Sequence, residues 1–69
     1  MNSVAYDTSE HYYTLLGVRP DGVASVVDLI AAEDLATARR GAAALLDEHR
    51  SCSLVEVWRD GALVEKLSR

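Results

Sequence analysis

Apolar positions recur with two periods along the chain, and each change of period marks an element boundary. Residues 33–49 (EDLATARRGAAALLDEH) carry the helical period. At 100° per residue, Leu45, Ala38, His49, Ala42, Leu35 and Leu46 fall within an arc of roughly 100°, the width of a core-facing stripe. Arg40, Ala44, Asp47 and Glu33 lie opposite, with Arg39 and Arg50 on one flank and Glu48 and Asp34 on the other. The small side chains of Ala38 and Ala42 let the helix lie close to its neighbour. Gly41, at the stripe's edge, costs about 1 kcal/mol relative to Ala and is read as a close backbone approach. Glu33 and Asp34 suit the helix start, while Asp47 and Glu48 oppose the dipole at its end.

Ser25-Val26-Val27-Asp28 has the form of a capping box and offers an earlier helix start. A continuous helix from Val26 would put Val26, Leu29 and Ile30 on the polar back. The β-branched residues at 26, 27 and 30 favour extended backbone, so residues 23–30 are expected to form a strand. Residues 12–18 (YYTLLGV) are equally rich in strand formers. Between the two, Arg19-Pro20-Asp21-Gly22 supplies a preset φ, a turn-favouring carboxylate and a glycine for positive φ, which predicts a hairpin. With Arg19 opposite Val23, Leu15 faces Val27 and Tyr13 faces Leu29 on one side. On the other side Val18 meets Ala24, Leu16 meets Val26, Thr14 meets Asp28 and Tyr12 meets Ile30.

After the helix, residues 52–59 (CSLVEVWR) and 62–67 (ALVEKL) read as two strands joined by Asp60-Gly61, a type I′ turn signal. The simplest register sets Arg59 against Ala62, Trp58 against Leu63, Val57 against Val64 and Glu56 against Glu65. Opposed like charges are mildly destabilising and need water or a cation, so the Glu56–Glu65 side is expected to face away from the helix.

The expected fold class is therefore α+β: a β-β-α-β-β chain forming a four-stranded, mainly antiparallel sheet with one helix on one face. The helix is expected over Tyr13, Leu15, Val27, Leu29, Val55, Val57 and Val64. Tyr12, Leu16, Val18, Val26, Ile30, Leu54, Trp58, Leu63 and Leu67 would line the other face. That exceeds the few hundred Å² of contiguous apolar surface that monomers normally expose. A two-fold copy, giving a homodimer, or a different protein partner is expected to cover it. Strand order is left open, although a right-handed crossover is expected if the strands flanking the helix are parallel.

Length sharpens this picture. Residues 11–69 make one small domain behind a polar, aperiodic arm, residues 1–10, expected to be mobile. A chain this short buries only about 60% of its unfolded surface and gains ~3–5 kcal/mol from its core. Its single cysteine excludes an internal disulfide, and two histidines with Cys52 are too few for a zinc site. No metal and no cofactor are expected, which leaves self-association as the stabilising device. The net charge of −4 argues against a protein that binds nucleic acid directly by neutralising phosphates. No apolar run reaches the ~18 residues of a membrane span. The start MNSVAYDTSE lacks the basic and apolar parts of a secretory signal. A cytoplasmic location is expected, and a lone reduced cysteine fits it. Abundant Ala, Arg, Leu and Val with one Lys suggest a GC-rich bacterial or phage gene.

Candidate chemistry is sparse. His49 and Cys52 could form an activated thiolate pair, but no third orienting group or oxyanion site accompanies them. The simpler reading is a helix-end imidazole and a half-buried thiol. His11 precedes the first strand and is expected to be solvated. The helix geometry splits Arg39, Arg40 and Arg50 into a solvated face. Glu56 and Glu65 could act as acid and base, but a flat hairpin gives them no cleft; they suit an arginine of a partner better. Trp58 beside Leu63 has the composition of an interface hot spot. No catalytic residue is assigned and no enzyme is expected. The partner-binding set is Trp58, Leu63, Leu54, Leu67, Glu56, Glu65, Tyr12, Leu16 and Ile30. The expected function is a non-enzymatic interaction module that self-associates or docks on a protein through the open sheet face. The alternative is a phage-type stoichiometric inhibitor, anti-CRISPR-like, of a nucleic-acid-processing complex.

The hairpin, the Ala-rich helix and the closing VEVWRDGALVEKL resemble a group of short uncharacterised bacterial proteins with the order β-β-α-β-β and a W-x-x-x-x-L-V ending. The likeness covers residues 12–67. That group has no assigned activity, so the resemblance implies the fold and carries no functional residue.

Overall fold

The computed structural model describes residues 11–69; the expected arm, residues 1–10, lies outside them. The elements are β1 (His11–Val18), β2 (Ala24–Ala32), α1 (Leu35–Glu48), β3 (Leu54–Arg59) and β4 (Ala62–Ser68). They form one four-stranded sheet in the order β2-β1-β3-β4 with every neighbouring pair antiparallel. The fold is thus α+β in the expected ββαββ arrangement. Because β2 and β3 both run antiparallel to β1, they are parallel to each other, and α1 carries the chain from one to the other past β1.

Both turns follow from their residues. In the first, Gly22 N–H donates to Arg19 O at 2.8 Å, and Asp21 Oδ1 accepts Val23 N–H at 3.1 Å. In the second, Asp60 and Gly61 have φ of 54° and 77°, the positive pair that a type I′ turn requires. The helix starts two residues later than the periodicity suggested. Asp34 is extended rather than helical and is the N-cap, accepting Thr37 N–H at 2.9 Å. At the other end, Arg69 Nη2 donates to Leu46 O at 2.5 Å and His49 O at 3.1 Å, and its Nε donates to Cys52 O at 3.0 Å. A guanidinium therefore supplies donors to carbonyls that a helix end leaves unpaired, where Asp47 and Glu48 offer only the wrong charge.

The core lies between α1 and one sheet face. Ala38, Ala42, Leu45 and Leu46 of the stripe meet Tyr13, Leu15, Val55 and Val57, with Ala32 and Cys52 closing the ends. The strand expected at residue 52 starts at Leu54, since Cys52 N–H turns back to His49 O at 2.9 Å. The close approach expected at Gly41 is present: a Cβ there would lie 2.8 Å from Ile30 Cδ1.

Two register shifts overturn part of the expected face assignment. In the β1–β2 ladder Val18 faces Ala24 as expected, but the next pair is Gly17 with Val26, so Ser25 is passed over. Beyond it Leu15 faces Asp28, Tyr13 faces Ile30, Leu16 faces Val27 and Thr14 faces Leu29. A one-residue slip turns a strand over. Val26 and Ile30 therefore pack against the core, while Val27 and Leu29, expected under the helix, are 68% and 63% exposed. In the β3–β4 ladder the pairs Arg59–Ala62 and Trp58–Leu63 hold. The ladder then passes over Val64 and sets Val57 against Glu65, Glu56 against Lys66 and Val55 against Leu67. The expected Glu56–Glu65 pair does not form, Leu67 joins the core side, and Val64, also expected under the helix, is exposed.

Candidate functional site: the open sheet face

The face turned away from α1 is built by alternate residues of all four strands, and the ladders set them in rows. Leu29, Thr14, Trp58 and Leu63 make one row; Val27, Leu16, Glu56 and Lys66 make the next. Val18 and Leu54 flank this block at one end and Tyr12 at the other. Tyr12 is 66% exposed, matching Leu29 in the next row and Val27 in the row after it. Trp58, Leu16, Leu54 and Val18 are partly shielded by their neighbours in the rows. The apolar side chains thus form a continuous surface, densest over β1 and β2.

Two polar groups on this face are bonded to each other. Trp58 Nε1 donates to Glu56 Oε1 at 3.0 Å, which relieves the indole N–H of any need for water. Glu56 stands opposite Lys66, so among the described strand residues the face carries one negative and one positive side chain.

Of the expected partner-binding residues, Tyr12, Leu16, Leu54, Glu56, Trp58 and Leu63 come together here. Ile30, Leu67 and Glu65 do not. Ile30 and Leu67 pack against the core, and Glu65 lies on the helix side opposite buried Val57. Arg39 of α1 holds Glu65 in two bonds, Nε to Oε2 at 2.7 Å and Nη2 to Oε1 at 2.9 Å. Its carboxylate is therefore not free for an arginine of a partner. Val27, Leu29 and Lys66 are the face residues that sequence reasoning missed. No local signal distinguishes Val27 and Leu29 from Val26 and Ile30, because both alternating sets are apolar.

The Arg39–Glu65 pair has a readable pH signature. The Arg39 hydrogen bonds, against a smaller opposing effect of desolvation, hold the Glu65 carboxyl below its ordinary value near 4.5, and Glu65 raises Arg39 in return. A depressed carboxylate contributes stability above its unfolded pKa and loses it as pH falls through the folded value. The wild type is expected to lose more stability than Glu65→Gln on acidification below about pH 5. Thermal melts of both proteins across that range check this; parallel curves would refute it. Asp34, held low by the Thr37 hydrogen bonds, titrates in the same direction in both proteins.

The remaining chemical candidates sit elsewhere. Cys52, expected to be half-buried, is 1% exposed, and its Sγ would lie 2.9 Å from a Cβ on Gly17. A thiol so enclosed cannot meet a substrate. His11, expected to be solvated, is half-buried, and its Nδ1 accepts from Arg59 Nη2 at 2.8 Å. The Arg59 guanidinium also lies 5.9 Å from the Tyr13 ring centroid, within cation–π range. Asp28, Glu48 and His49 line a cleft of about 390 Å³ between β2 and α1. Among the described residues no group of three or more His, Cys, Asp or Glu side chains is placed to hold a metal ion. No helix among them is long and apolar enough to cross a membrane.

Fold and face together define a class: a small ββαββ protein with a helix on one side of the sheet and, on the other, a largely apolar face that no described element covers. Compared with known proteins, the chain matches no family model, no curated protein and no solved structure.

Proposed function

We propose that the chain is a non-enzymatic protein-interaction module that works through the open sheet face. One observation carries this reading: Tyr12, Leu29 and Val27, each about two-thirds exposed, occupy three successive rows of a face already lined by Leu16, Leu54, Trp58 and Leu63. Contiguous apolar surface of this kind is the usual mark of an interaction site. Trp58, partly shielded at the centre of the face, is of the residue type that dominates interface hot spots. The clustering is also selective. Of the large apolar side chains expected on this face, those that the ladder shifts remove are the ones the core takes up.

The face can be disabled without harming the core. Val27 and Leu29 point away from α1 and make no contribution to its packing, so the double variant Val27→Glu, Leu29→Lys is expected to fold and to lose binding. Purified wild type on a support should retain protein from its native cell lysate, further copies of itself included, and the variant should not. Equal retention by both proteins would sink the reading.

A further inference from the structure

Resting on that reading, we infer that the occupant of the open face is a second copy of this chain, packed sheet against sheet about a two-fold axis.

Charge comes first. The chain carries a net charge of −4, yet among the described strand residues the open face holds one carboxylate, Glu56, opposite one ammonium, Lys66. A strongly basic or acidic partner would find nothing on this face to complement its charge. A neutral apolar surface fits another neutral apolar surface, and the surface certain to be present beside each copy is its own. The indole N–H of Trp58 already has its acceptor in Glu56, so closing the face over the indole leaves that donor satisfied.

Size comes second. Four strands about 4.8 Å apart and roughly six residues long present on the order of 400 Å² of flat area per copy. Two copies cover about 800 Å² before side-chain relief is added, which carries the buried area to the ~1,000 Å² at which specific interfaces begin. Two sheets stacked about 10 Å apart are a standard way of closing such a layer, and two-fold dimers are the commonest soluble assembly.

The edges come third, because they turn association toward the face. Ser53 N–H donates to Val18 O at 2.8 Å from the β3 side. The alternation of an antiparallel ladder then points the even residues of β1 toward β3 and the odd ones toward β2. Val26, Asp28 and Ile30 therefore bond inward to β1, and the N–H of Leu29 faces the outer edge. There Asp28 Oδ1 accepts it at 2.9 Å, so a donor that an added strand would need is taken. The other edge, β4, carries the irregularity at Val64 and the charge of Lys66. Bulges and edge charges are the means by which sheets resist edge pairing. A partner that adds as a strand meets an obstacle on each side, and no described element obstructs a partner that stacks on the face.

Sedimentation equilibrium of the purified chain, from low to high micromolar concentration, tests the inference. The wild type is expected at twice the 7.5 kDa chain mass. Val27→Glu, Leu29→Lys is expected at the single mass, with its dissociation constant raised at least a hundredfold (about 2.7 kcal/mol) and with an unchanged far-ultraviolet spectrum showing that it still folds. Asp28→Ala should leave the mass unchanged, because the edge is not the interface. A wild type that stays at the single mass, or a double variant as dimeric as the wild type, overturns the inference. The lysate experiment separates the two levels. A monomeric wild type that still captures a different protein, lost in the double variant, removes the second copy and keeps the interaction face. A monomer that captures nothing removes both.

Discussion

Leu15→Ala is expected to leave most of the chain unfolded at 25 °C. Leu15 is 1% exposed and sits on β1, a central strand, directly beneath α1. Its Cδ1 would lie 3.7 Å from a Cβ on Gly41, so the side chain fills the space where helix and sheet come closest. Removing a buried leucine down to its Cβ costs about 2–5 kcal/mol. A single core in a chain of this size supplies only ~3–5 kcal/mol. The loss is therefore comparable to the whole. Circular dichroism through a urea titration reads the result directly. The neighbouring Leu16→Ala supplies the contrast: its side chain is on the open face and only partly shielded. That variant should remain folded, and any effect should appear in association. If Leu15→Ala and Leu16→Ala unfold at similar urea concentrations, the division of β1 between a core face and an open face is wrong.

The second large effect is expected at Gly17. A Cβ there would lie 2.9 Å from Cys52 Sγ, 3.2 Å from Leu45 Cδ2 and 3.2 Å from Val26 Cβ. Two of these neighbours have little room to yield. Cys52 is enclosed in the core, and the Val26 Cβ is fixed to the backbone of the adjacent strand. Inserting a methyl into such a site typically costs about 1–3 kcal/mol, so Gly17→Ala should lower the urea midpoint sharply, and Gly17→Val should lower it further. Adding Cys52→Ala to Gly17→Ala should restore part of the loss, since it removes the nearest of the three contacts; a double-mutant cycle measures that coupling. Gly41→Ala is the matched control. Its closest contact, 2.8 Å, is with the far end of the flexible Ile30 side chain, and the helix gains about 1 kcal/mol from replacing glycine. A nearly neutral Gly41→Ala beside a damaging Gly17→Ala is the expected pattern. A tolerated Gly17→Ala would mean that β1 and the β3 approach are not packed as closely as described.

The difference between these two glycines also marks what could be read from residue order. Gly41 announces itself because a helix stripe makes its position legible: it lies at the edge of an apolar arc, where the period places it near a neighbour. Gly17 sits in a run of strand formers and gives no such sign. Its importance comes from Cys52, Leu45 and Val26, which are 35, 28 and 9 positions away. The same holds for Arg69. Nothing in the closing residues shows that its guanidinium reaches three carbonyls around the helix end. Glu65 was misplaced for a related reason. The type I′ turn at Asp60-Gly61 correctly sets the first two pairs of the β3–β4 ladder, but the extra residue at Val64 moves every later pair. Lys66 then faces Glu56, and Glu65 turns to Arg39.

Residue order by itself determined the elements and their turns. Helical spacing, strand-forming runs, Arg19-Pro20-Asp21-Gly22 and Asp60-Gly61 act through neighbours a few positions apart, and those interactions are written locally. Tertiary structure alone decided which side of β2 and β4 is buried. Residues 26–30 are apolar on both alternating sets apart from Asp28, so a one-residue slip changes little within the hairpin. The choice was made by distant partners: the space above Gly41 that admits Ile30, the guanidinium of Arg39 that draws Glu65, and the core margin that takes Leu67. The apolar face turned away from α1, with Val27 and Leu29 at its most exposed part, is the consequence of those long-range contacts.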